Sequence, residues 1–178
     1  MHTTLPPAIM GIATALCLCG AVVAAAHLLR PHPTEHALYS GRASDLNHLA
    51  MLTAMAVMWS DTSLPITLWR AVFGALAASA LLALLTRGYA GSRTERIGSA
   101  AYHCVSALAM LYAGSAHHTV SLPVLGWTLT ALFLLDAAVV AAVAVTPATP
   151  SRRDFLVTVF PHLVMDLAMA SMLAVVLV

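Results

Sequence analysis

Three copies of one short phrase hold the residues best suited to chemistry: a histidine, five residues, then Ala-Met. They read HLAMLTAM from His48, HCVSALAM from His103 and HLVMDLAM from His162. Their near-equal spacing marks an internal repeat that delivers one imidazole and one thioether to an equivalent place each time. Imidazole suits Cu, Zn and Fe, whereas thioether sulfur selects soft ions such as Cu(I) and needs no deprotonation. Each copy lies in an apolar run, where an ionisable group without a partner is costly. Three equivalent histidines in that setting point to a metal site.

On a helix, positions i, i+3, i+7 and i+10 share one narrow stripe. One stripe then carries His48, Met51, Met55 and Met58, and another His162, Met165, Met169 and Met172; the middle copy keeps His103 and Met110, with Ser106 and Ala113 between and beyond. The expected metal ligands are His48, His103 and His162 with Met51, Met55, Met110, Met165 and Met169, the three imidazoles at one level with Cα atoms within roughly 15 Å of each other. Asp136 lies at a comparable depth, and Asp166 follows His162 by one turn on a neighbouring face. Either the two carboxylates accept the second ring N–H of the ligating histidines and fix their tautomer, or each pairs with a histidine only to satisfy two buried polar groups. His117 and His118, in a loop, are an outer capture pair or two solvated residues. His27, His32 and His36 read as surface or interfacial. A methionine stripe alone is more often flexible core filler, so the histidines carry the metal reading. The competing view is a triplicated hairpin that kept its histidine for hydrogen bonding.

The elements that must position these residues are membrane helices. Residues of the AVILMFWYC set make up 61% of the 178 and charged residues 8%, against roughly a quarter charged in a soluble domain. At roughly 20 apolar residues per crossing, about six spans fit: 8–29, 45–60, 65–86, 97–115, 122–146 and 155–178. The expected fold is therefore an all-α integral membrane protein, a single polytopic domain over 1–178 whose six helices form three repeated hairpins in one bundle. Pro6 and Pro7, Ser44 and Asp45, Pro65, Thr94 and Glu95, Pro123 and Ser151 mark the six starts. All eight cationic residues are arginine. Seven fall in three loops (Arg30 and Arg42; Arg87, Arg93 and Arg96; Arg152 and Arg153), which makes those loops cytoplasmic and puts both termini outside the plasma membrane. Trp59, Trp69 and Trp127 then fall at outer span ends, where indoles favour the headgroup level, and Arg70 snorkels outward from the third span.

The net charge of +1 leaves no basic patch for nucleic acid. The first span, with no preceding cation and Arg30 after it, reads as retained rather than as a cleaved signal peptide. Cys17, Cys19 and Cys104 lie within spans, so no disulfide framework is implied. Cys17 and Cys19 point to nearly opposite sides of a helix and read as small buried residues, while Cys104 is a minor ligand candidate beside His103.

HLAMLTAMAVMW (48–59), LPITLWRAVFGALAASALLALL (64–85), AYHCVSALAMLY (101–112) with the histidine pair that follows, and HLVMDLAMASM (162–172) resemble the actinobacterial membrane family described as domain of unknown function 5134. The resemblance extends over nearly the whole chain. It implies about six spans, His-Met phrases on alternate spans and histidine in an outer loop, with no established activity; Ser106 and Ala113 depart from the Met-rich pattern. No phosphate loop, His-Glu-x-x-His phrase, nucleophile elbow or Cys-x-x-Cys pair is present, so an enzyme is not expected. Three function classes follow: a copper protein that binds, delivers or passes Cu(I); a haem-b membrane subunit with two histidines, or a histidine and a methionine, as axial ligands; and a non-catalytic scaffold or partner subunit packed through small residues.

Overall fold

The computed structural model describes residues 6–29, 42–60, 64–86, 92–115, 122–144 and 152–177. They form six α-helices: α1 (Pro7–Leu28), α2 (Arg42–Trp59), α3 (Ile66–Leu85), α4 (Arg93–Ser115), α5 (Pro123–Ala144) and α6 (Arg152–Leu177). Proline opens three of them, because its missing N–H is a donor that a helix start cannot use. Pro7 is the first residue of α1, Pro65 precedes α3 and Pro123 begins α5. α4 starts instead with a reciprocal box: Ser92 N–H donates to Glu95 Oε2 at 2.5 Å, and Glu95 N–H to Ser92 Oγ at 3.3 Å. The cap is thus Ser92, not Thr94, since Ser-x-x-Glu satisfies two orphan donors at once.

α2 begins at Arg42, a turn earlier than the apolar pattern indicates, so Ser44 and Asp45 sit inside the helix and are buried. Asp45 lies 3.9 Å from Nδ1 of His27, at the end of α1, which makes His27 half of an inter-helix pair and not a lone interfacial residue. The expected cap Ser151 lies outside the described residues, as do His32, His36, His117 and His118.

Four helical segments are long and apolar enough to cross a membrane: Pro7–Leu28, Ile66–Leu85, Pro123–Ala144 and Val159–Leu177. α2 and α4 are more polar because they carry Ser44, Asp45, Asn47 and His48, or Glu95, Ser99, Tyr102, His103 and Ser106. Those residues are turned inward: Ser44, Asp45, Asn47, His48, Ser99, His103 and Ser106 are all buried.

The most extensive packing joins consecutive helices, α1 with α2, α3 with α4 and α5 with α6, and α6 also meets α1, α2 and α4. α6 is therefore the hub, with 61% of its apolar span buried against 11% for α3. The outward faces of α1, α3 and α5 expose large apolar side chains such as Ile12, Val22, Leu82 and Leu135, as expected where a helix is solvated by lipid tails. Close approach at the hub needs a small residue. A Cβ on Gly20 of α1 would stand 3.0 Å from Leu52 Cδ1 and 3.5 Å from Val164 Cβ, so α1 meets α2 and α6 closely there and even a methyl would press on Leu52.

Two expectations are corrected by this packing. Trp59 ends α2 but is buried in the core, because the last turn of α2 leans on the other helices; Trp69 stacks on Phe73 at 5.8 Å, and Trp127 is the exposed indole. Cys17 is buried whereas Cys19 is exposed, since residues two apart on a helix face different surroundings.

Candidate metal centre

Four helices bring polar residues to one point in the bundle. α2 supplies His48, α4 supplies Tyr102 and His103, α5 supplies Asp136, and α6 supplies His162 and Asp166. His48, His103 and His162 come from three different helices and meet at one level, as their ring contacts show. All three are buried, His162 completely. Their rings touch: His48 lies edge-on to His103 at 5.0 Å between centroids and to His162 at 5.6 Å.

His162 is the centre of the cluster. Its Nε2 stands 2.8 Å from Asp136 Oδ2 and 3.4 Å from Asp166 Oδ2, while its Nδ1 stands 3.4 Å from Nε2 of His48. An ionised carboxylate can only accept, and opposite one Nε2 of His162 would carry the proton, leaving Nδ1 with its lone pair toward His48. Two imidazoles bound to one ion at ~2.0–2.1 Å with tetrahedral or trigonal angles hold their nitrogens roughly 3.3–3.6 Å apart. The His48–His162 pair has that separation, and Asp136 stands against the far nitrogen of His162.

The opposite side of His162 offers a second donor set. One ligand atom each from Asp136, His162 and Asp166 lies within 4.8 Å of the others, close enough to share an ion. Asp166 is fully buried and Asp136 partly so, its side chain 29% exposed. The sequence placed Asp166 on a face beside that of His162, but the i, i+4 relation brings it back to the same imidazole.

Two residues of the cluster were not singled out as site residues by sequence reasoning. Tyr102 donates its hydroxyl proton to Asp166 Oδ1 at 2.5 Å, and its ring lies over His162 at 4.5 Å and beside His103 at 5.4 Å. It packs the imidazole from one face and holds the carboxylate that serves it. Ser44 places its Oγ 3.4 Å from Nε2 of His103. The signal for both was available: a polar side chain inside an apolar run, one of them adjacent in sequence to a site histidine. Cys104 turns away instead, its Sγ 3.7 Å from the carbonyl of Ala77 on α3.

The methionines run from the histidine level toward the other end of the bundle. Met51, Met55, Met110, Met165 and Met169 are almost completely buried and belong to one core cluster with Met172, Leu52, Phe73, Phe133 and Leu173. Ser106 and Ala113, the two places where the middle stripe lacks sulfur, are equally buried.

These features define an all-helical protein with, among the described residues, four helices apolar enough to cross a membrane and a largely buried His/Asp group that could hold a metal ion. The model of one family, the domain of unknown function DUF5134, matches residues 40–176, and the chain belongs to that family. The whole His/Asp/Tyr cluster falls within the match; α1 precedes it. No curated protein and no solved structure matches the chain.

Proposed function

We propose that this is a multi-pass membrane protein that binds a soft metal ion, Cu(I) foremost, between His48 and His162, and that it delivers or passes that ion and performs no catalysis. In this reading all six helices cross the plasma membrane as three hairpins, the arginine-bearing loops are cytoplasmic and both termini lie outside. α2 and α4 cross although they are polar, because α6 and the odd-numbered helices shield their polar faces from lipid. The observation that carries the proposal is the facing nitrogen pair, His162 Nδ1 and His48 Nε2 at 3.4 Å, with Asp136 on the far nitrogen of His162. His103 completes a three-imidazole site, and Asp136 and Asp166 orient His162 from outside the coordination sphere. The buried thioethers favour a monovalent soft ion over a hard divalent one.

A second reading has its own support. The Asp136, His162 and Asp166 group would place the ion on the carboxylate side of His162, and one nitrogen with two carboxylates suits Zn²⁺ or another borderline to hard divalent ion better than Cu(I). Haem b is less favoured, because two axial histidines must flank a flat macrocycle while His48 and His162 pack edge to face.

Elemental analysis of the protein purified in mild detergent, for the wild type and for Asp136→Asn, tests the proposal. Stoichiometric copper that persists in Asp136→Asn with about 10–100-fold weaker retention supports the histidine side. Zinc in the wild type with complete loss in the variant places the ion between the carboxylates. Protein free of metal after reconstitution with both ions defeats the metal reading.

A further inference from the structure

At the end of the bundle remote from the histidines, the helices part around a cavity of about 1050 Å³, formed by α1, α6, the end of α2, the start of α3 and the end of α4. Met10, Met58 and Met172 line it, as do Thr14, Trp59 and Trp69. The three sulfurs come from three different helices, and two of them are the last positions of the stripes that begin at His48 and His162. Ten residues separate each of those pairs, which is about 15 Å along a helix axis. The interval is occupied by Met51, Met55, Met165 and Met169, none more than 2% exposed.

We propose that this cavity is a second metal site, a loading site for a monovalent soft cation held by the thioethers of Met10, Met58 and Met172. The identity of the ion as cargo for the histidines rests on the function proposed above; the loading site itself rests on three methionines from three helices lining one cavity. The chemistry is specific. Thioether sulfur is neutral, so three of them bind a soft monovalent ion without leaving a net negative site, and they leave hard ions in water. Methionine has three rotatable bonds, which lets side chains on separate helices close on one ion. The indoles of Trp59 and Trp69 line the same cavity, and an aromatic ring attracts a cation placed over its free face. Thr14 Oγ1 and Trp59 Nε1 are buried in the same wall with no hydrogen-bond partner among the described residues, and a water ligand carried in with the ion supplies one. His48, His103 and His162 are at most 3% exposed, whereas the cavity lies at the end of the bundle, ten residues along the stripes from His48 and His162.

Ag(I), redox-inert and soft, is the probe. It is titrated into the full-length detergent-solubilised protein labelled with ¹³C at the methionine methyl groups, each resonance assigned by a single Met→Leu variant. The loading site predicts uptake of two equivalents, with the Met10, Met58 and Met172 methyl signals moving. The Met10→Leu, Met58→Leu, Met172→Leu triple variant, which conserves volume, loses one equivalent and retains the other. Loss of that remaining equivalent in His48→Ala, His162→Ala protein, with the three methyl shifts intact, assigns it to the imidazoles. Unmoved Met10, Met58 and Met172 signals during uptake, or a triple variant that binds as wild type does, overturns the loading site. If the three signals move but the double histidine variant keeps both equivalents, the loading site stands and the histidine site falls.

Discussion

The two ends of this bundle solve opposite problems. Around His162 the interior is dense and polar: three imidazoles, two carboxylates and a phenol fill the space between four helices, and each polar group leans on another. Around Trp59 and Trp69 the interior is apolar and open, walled by methionine and indole. A dense polar centre fixes the direction of its lone pairs, because every ring is held by a neighbour, and such fixity suits selective binding. An open thioether cavity has no fixed geometry and suits capture and release. A dense polar centre and an open methionine-lined cavity, with buried methionines between them, are what the six helices bring together.

The largest effect is expected at the rigid centre. His162→Ala removes the imidazole that faces both His48 and the carboxylates, and isothermal titration with Cu(I) should find the stoichiometric high-affinity equivalent gone. His103→Ala probes the same level from α4: the account predicts loss of stoichiometric binding in a folded protein, while Met110→Leu only weakens it. A folded His103→Ala protein with wild-type binding would reduce the site to His48 and His162.

Next in size is the support of that centre. Tyr102→Phe leaves Asp166 Oδ1 buried without its donor, a cost of about 1–3 kcal/mol visible as a lower thermal midpoint in detergent. The metal retained should fall by no more than roughly tenfold, at the low end for an outer-shell partner. Unchanged stability in this variant would mean that water takes over the phenol's role and that the centre is less dry than its burial indicates.

Smaller effects separate the hub from the periphery. Gly20→Val drives a branched side chain into Leu52 and Val164, which should cost about 1–3 kcal/mol and part α1 from α2 and α6. Gly74→Ala on α3 has nothing within 4 Å of the added carbon and should be neutral or stabilising by about 0.5–1 kcal/mol through helix propensity. Equal effects at the two glycines would contradict the assignment of α6 as hub and α3 as outer wall.

Much of this was written in the pattern of residues. The six helices follow from apolar runs interrupted by proline and by polar loops, and the shared level of His48, His103 and His162 follows from their common phrase. What the sequence withheld was rotation and pairing. Nothing in a linear pattern says that Tyr102 on α4 reaches Asp166 on α6, because that contact depends on how two non-consecutive helices turn toward each other. Trp59 follows the same logic: its position at a helix end matches an interfacial indole, while its burial is decided by neighbours distant in sequence. The start of α2 lies a turn ahead of Asp45 because Ser44 and Asp45, which resemble a cap, are buried against α4 and α1, a tertiary effect that overrides local preference.

The facing nitrogens of His48 and His162 are the centre of the account, and X-ray absorption at the copper edge of Cu(I)-loaded, detergent-purified protein reads them most directly. With the loading site emptied by the Met10→Leu, Met58→Leu, Met172→Leu substitutions, the spectrum should show at least two nitrogen scatterers at ~2.0 Å, carrying the outer-shell signature of imidazole rings. A first shell composed only of sulfur, or of carboxylate oxygen without imidazole, would contradict it.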